Sequence, residues 1–131
     1  MLNKIKDSKG IKRKRGNIGE YVTRESLIKD GFTIVEQNYQ KRWGEIDIIA
    51  KKDNVLHFIE VKSVTYLNIS DNSHRPEDNV HGLKIQKIRR MIQTYLGDLE
   101  SDTPFQFDIA CVYLDIINNT SRIRWIRNII L

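Results

Sequence analysis

Apolar positions along the chain follow two periods, and the switches between them divide it into seven elements. From Asn17 to Asp30, Ile18, Val22 and Ser26 with Leu27 trace one helical face, and Gly31 can close that helix as the first residue beyond it. Phe32–Asn38 reads as a strand. Gly44–Lys51 (GEIDIIAK) and Val55–Val64 (VLHFIEVKSV) are rich in β-branched residues and read as two strands joined by a short Asp53-Asn54 turn. Tyr66 to Asn79 is polar and reads as a loop. Val80 to Leu96 sets Ile85, Ile88, Ile92 and Tyr95 at helical spacing, with Gly97 placed to end the helix. Phe105–Leu114 is a further strand, and Asn118-Asn119 turns the chain into a last one, Arg122–Ile130. The predicted order is α-β-β-β-α-β-β, an α/β fold with helices against a mixed sheet; if the strand after the second helix is parallel to the one before it, the crossover should be right-handed.

Composition narrows the class. With 131 residues, 40% hydrophobic and 30% charged, the chain has material for one core and is not a disordered polymer. No apolar run approaches the roughly 18–20 residues of a membrane helix, and the first residues lack the apolar stretch of a secretory signal. The single cysteine, Cys111, can form neither an internal disulfide nor a multi-thiolate zinc site. A cytoplasmic protein without a membrane partner is expected. The net charge of +5 is unevenly spread: residues 1–15 hold seven basic groups against one acid, a net of +6, which leaves residues 16–131 near neutral. The expected organisation is a basic, flexible arm over 1–15 and one domain over 16–131. Lys12, Arg13, Lys14 and Arg15 in that arm are either a solvated tail or a phosphate-seeking segment.

The central hairpin carries the chemistry. If Asp53-Asn54 is a two-residue loop, Lys52 pairs with Val55 and Asp47 falls opposite Glu60. Alternation puts Lys62 on the face of Glu60, among the core-type residues Ile49, Leu56 and Phe58. Two acids opposed in a partly apolar setting repel, so the pair calls for a compensating cation. With oxygen donors and no neighbouring histidine or thiolate, Mg²⁺ or Mn²⁺ suits it better than zinc. A solvated acid–lysine cluster at a sheet edge is the plainer alternative.

Gly19-Glu20 in the first helix, Asn38 before Gly44-Glu45-Ile46-Asp47, then Phe58-Ile59-Glu60-Val61-Lys62 and Phe107-Asp108 together resemble the bacterial YraN-like family. That family is related to the archaeal Holliday-junction resolvases and the PD-(D/E)XK nuclease superfamily, and the resemblance runs from about Gly16 to the end of the chain. It implies a restriction-endonuclease-like fold. It also implies that Asp47, Glu60 and the Val61 carbonyl are metal ligands, that Lys62 orients or activates the attacking water, and that Glu20 joins the same site. Lys84 matches a family lysine suited to phosphate. The chain departs from the family at Val64, where a basic residue is common, and at Gln106, where an arginine is common.

Other candidates have plainer readings. His57, His74 and His81 converge with no second ligand, and Cys111 reads as a buried small hydrophobe. Trp43 is placed to anchor its loop to the core, with base stacking as the alternative. Lys84, Lys87 and Arg90 form a basic stripe beside the apolar helix face, either solvated or a phosphate rail. The expectation is therefore a metal-dependent, endonuclease-like protein acting on DNA, including branched or flapped forms. The alternative is a nucleic-acid-binding module with the same fold and little catalysis. A homodimer is one arrangement open to such a chain.

Overall fold

In the computed structural model, the described residues are 8–66, 85–100 and 102–131, with the side chains of 8–16 and of Tyr66 also outside the description. Helix α1 spans Ser8–Lys29, so it begins before Asn17 and its backbone takes in Lys12 to Arg15. Lysine and arginine are good helix formers, which lets the helix extend back without an apolar stripe. Its end is closed as expected. Gly31 takes φ 92°, the Phe32 N–H donates to Leu27 O at 2.9 Å, and the Gly31 N–H donates to Ile28 O at 3.1 Å.

The strands are β1 (Thr33–Lys41), β2 (Gly44–Lys52), β3 (Val55–Tyr66), β4 (Phe105–Asp115) and β5 (Thr120–Ile126), with α2 (Ile85–Leu99) between β3 and β4. The order of elements is the predicted one. They form one sheet in the order β1-β2-β3-β4-β5, in which β3 and β4 are parallel and the other neighbours antiparallel. At the β2–β3 turn Asp53 and Asn54 both adopt positive φ, 50° and 64°, as a two-residue hairpin with the sheet's own twist requires. The register follows from it, from Lys52↔Val55 to Ile48↔Ile59.

Two expected boundaries are corrected. Gly97 lies inside α2, which runs to Leu99, and Glu100 takes the left-handed position instead, at φ 52°. The last strand stops at Ile126 rather than Ile130. There the Asn128 N–H donates to the Asp108 carboxylate at 2.8 Å and the Ile129 N–H to Phe107 O at 2.8 Å, which pulls the tail out of the ladder.

The core has two layers. On one face α2 sets Ile88, Met91, Ile92 and Tyr95 against Ile49, Leu56, Phe58, Phe107 and Ile109. On the other, Leu27 of α1 and Phe32 pack with Ile48, Ala50, Ile59 and Ala110. Each fully buried large side chain contributes roughly 1.5–3 kcal/mol, so the β2–β3–β4 centre is the stiffest part of the molecule. Cys111 is fully buried within it. Among the described residues no helix is long and apolar enough to cross a membrane.

Candidate active site

The site forms where β2 leaves β3. Backbone pairing between them ends at Ile48↔Ile59, while β3 continues beside β4 through Glu60↔Ile109 and Lys62↔Cys111. At the fork Asp47 Oδ2 accepts the Val61 N–H at 2.8 Å, so a side chain takes over from the backbone ladder. In-and-out alternation breaks at the same place: Ile46 joins the α2-side cluster and Ile48 the α1-side cluster. On β1, Asn38 has φ 54° and stands opposite Asp47, between the pairs Gln37↔Ile48 and Tyr39↔Ile46, which keep one register. Asparagine tolerates this left-handed conformation better than most residues. The irregularity on both strands turns Asp47 out of the regular face pattern and toward acids on either side of it.

Asp47 and Glu60 share a hydrogen bond. Burial, then the Asp47 charge and that bond, push the Glu60 carboxyl up to about 9, and Lys62 opposes the rise. Glu60 is thus drawn toward its protonated form, which lowers the charge at the contact. Glu20 reaches the same centre from α1; burial first, then Asp47 and Glu45, push it to about 7. Burial and Asp47 also raise Glu45. The Asn38 amide, oriented to satisfy its neighbours, donates to Glu45 Oε1 at 2.9 Å and to Glu20 Oε1 at 3.0 Å. Asn38 thus ties helix to sheet at the acids.

Gly19 makes that approach possible. A Cβ there would collide with Ser63 Oγ and lie 3.2 Å from Ser63 Cβ. The missing side chain lets α1 cross β3 closely enough to deliver Glu20, and the buried Thr23 hydroxyl donates back to Gly19 O at 2.8 Å. Asp47, Glu60, Lys62 and Glu20, all singled out from sequence, are thus brought together. Glu45 and Asn38 were missed as members. Glu45 stands two residues from Asp47 in Gly-Glu-Ile-Asp, and that spacing was the available signal.

The remaining candidates are dispersed. Lys84, His74 and His81 lie outside the described residues, as do the side chains of Lys12, Arg13, Lys14 and Arg15. On α2, Lys87 is exposed, whereas the Arg90 guanidinium stacks over the Trp43 ring at 4.0 Å. Trp43 packs against the core, in line with the anchoring reading. His57 is no lone histidine: its Nδ1 lies 2.7 Å from Asp108 Oδ2, both groups buried. Gln106, at a departure from the family pattern, donates to the other Asp108 oxygen at 2.8 Å.

Among the described residues no three His, Cys, Asp or Glu side chains converge into a ready-made metal cage. The donor set nevertheless suits a hard divalent cation. It is made of oxygens, and Glu60 in it is pushed toward the neutral form, a shift that a cation's charge would oppose.

Comparison with known proteins places the chain among sequence relatives of one family. The family described as "Uncharacterised protein family UPF0102" matches residues 19–112, a stretch that contains every acid of the site and Lys62. A UPF0102 protein of Campylobacter lari is 41% identical over 99 residues, covering 76% of this chain and 83% of its own length. One from Campylobacter fetus is 37% identical over 111 residues, covering 85% and 88%. A third, from Campylobacter hominis, is 35% identical over 121 residues, covering 92% and 97%. The chain belongs to the UPF0102 family, also called the YraN family.

Proposed function

We propose that the protein is a metal-dependent endonuclease acting on DNA in the bacterial cytoplasm, with branched or otherwise structured DNA as its substrate class. The observation that carries this reading is the Asp47–Glu60 contact at the fork of β2 and β3, with Lys62 beside it. A fold with no use for charge there gains nothing from burying two opposed acids. Asp47 and Glu60, with the Val61 carbonyl, would hold Mg²⁺ or Mn²⁺, which polarises a scissile phosphate and acidifies water when bound. Glu60 would serve as a ligand only as the carboxylate, so its proton would pass to solvent water on binding. Lys62 donates to the charge that develops on the phosphate in the transition state. Glu20, with its carboxyl near neutrality and one oxygen tied by Asn38, can hold or release a proton at the other oxygen.

A cleavage series on supercoiled and branched DNA with Mg²⁺ and Mn²⁺ tests this. Asp47→Asn and Glu60→Gln should abolish cutting while DNA binding is retained or tightened. Lys62→Ala should lose on the order of 10²-fold in turnover. Glu20→Gln should lose less. If scrupulously purified protein cuts nothing, or the acid variants cut as well as wild type, the second reading takes over: a nucleic-acid-binding module with little catalysis. Its support is that burial and the Asp47 charge push the Glu60 carboxyl up to about 9, toward the neutral form that eases the acid pair without a metal.

A further inference from the structure

The face of the sheet that carries Lys62 continues across two more strands, with Cys111 and Tyr113 on β4 and basic residues on β5. Lys62 pairs with Cys111 on β4, which pairs with Arg124 on β5. One step along, Val64 pairs with Tyr113, which pairs with Arg122. Paired residues share a face, so Lys62, Arg124, Tyr113 and Arg122 lie on one side of the sheet. Arg122 and Arg124 are exposed, and the Arg122 guanidinium lies over the Tyr113 ring, 4.8 Å from its centroid. That stacking orders the guanidinium in advance and leaves its N–H edges for an acceptor. At the usual strand spacing Arg124 is roughly 10 Å from Lys62, within the reach of a few consecutive phosphates for two long side chains. Arg122 and Arg124 both lie beyond residues 19–112, the stretch that matches the family.

We infer that Arg122 and Arg124, with the Tyr113 ring beneath Arg122, form a phosphate track that leads a polynucleotide strand across β5 and β4 to Lys62 and the acid pair. The occupant is a nucleic-acid backbone because the row alternates a fixed cation platform with a second guanidinium and ends at a lysine beside acids. A short anion would need only one of these groups. The inference rests on the nuclease-site reading for the position of the strand's end, but its test reads binding alone.

The test measures binding of a fluorescent single-stranded oligodeoxynucleotide by anisotropy in EDTA, over a range of salt concentrations. The double variant Arg122→Ala/Arg124→Ala should bind about 10-fold more weakly at low salt, with a log–log salt slope shallower by about 1.5, the value for two phosphate contacts on a single strand. Lys29→Ala, an exposed cation on α1 against the opposite face, should leave both unchanged. Arg122→Lys/Arg124→Lys should restore most of the slope, which separates lost charge from damaged folding. Unchanged affinity and slope in the double variant, or an equal loss in Lys29→Ala, overturns the track, as does wild type that fails to bind the strand. Wild type that binds through these arginines yet never cuts DNA refutes the nuclease reading and leaves the track standing.

Discussion

Two acidic centres lie at the same sheet, one buried and one half-buried, and are treated in opposite ways. Asp108, on β4, is fully buried and fully answered. His57 approaches one oxygen, Gln106 and the Asn128 N–H donate to the other, and Arg127 stands 3.8 Å away. Among the described residues, the fork of β2 and β3 gathers Glu20, Glu45, Asp47 and Glu60, and beside them stand Lys62, the Asn38 amide and the Val61 N–H. The first arrangement binds the C-terminal tail to the sheet. The second gathers acids that raise one another's carboxyls, a condition common at functional sites. Burial alone therefore does not mark a functional acid; the supply of donors around it does.

The sharpest way to break this contrast is to remove Asp108. Asp108→Ala leaves a buried imidazole and a backbone N–H without their acceptor, and stability should fall by about 3–5 kcal/mol in urea denaturation. A loss below about 1 kcal/mol would mean that the tail is held by other contacts. Next in size is the crossing of α1 over β3. Gly19→Ala should cost about 2 kcal/mol through overpacking against Ser63, and Ser63→Ala in the same chain should recover most of it. Ser63→Ala alone should be close to neutral, because its buried hydroxyl has no partner.

At the fork, substitution should have the opposite sign. Glu60→Gln should stabilise the metal-free protein by on the order of 1 kcal/mol at pH 8, since it removes an acid that must take up a proton on folding. The pH dependence follows from the same shift. Glu60 titrates at about 9 when folded and near 4.5 otherwise, so between those values the folded state binds more protons than the unfolded. Stability should therefore fall as pH rises from about 4.5 to about 9, with Glu20 adding to the loss up to about 7. Melting temperature followed against pH in EDTA should show this decline, and Glu60→Gln should flatten it. The smallest effect belongs to α2: Lys87→Ala should leave stability within about 0.5 kcal/mol, as an exposed helix cation. Arg90→Ala should cost more, because it uncovers the Trp43 ring.

Local pattern was enough to determine the seven elements, their order, the tight Asp53-Asn54 turn and, from that turn, the β2–β3 register as far as Ile48↔Ile59. All of these depend on periodicity and on backbone conformations written into short stretches. The two helix ends show where that reach stops. Gly31 closes α1 as its neighbours require, but Gly97 does not close α2, because a glycine permits a left-handed turn without compelling one. The fork was beyond local reading too. It needs an irregularity on two strands at once, with Asn38 left-handed opposite Asp47, and strict alternation predicts neither. Glu45 and Asn38 enter the site only through that distortion. His57 looked solitary because its partner Asp108 is 51 positions away in sequence and adjacent only across the parallel β3–β4 seam. Sheet order alone sets Arg124 in line with Lys62 and Arg122 one step along from it. The chain's own pattern determined which residues could do chemistry. Tertiary structure decided which of them meet, because long-range pairing alone sets how many donors each buried charge receives.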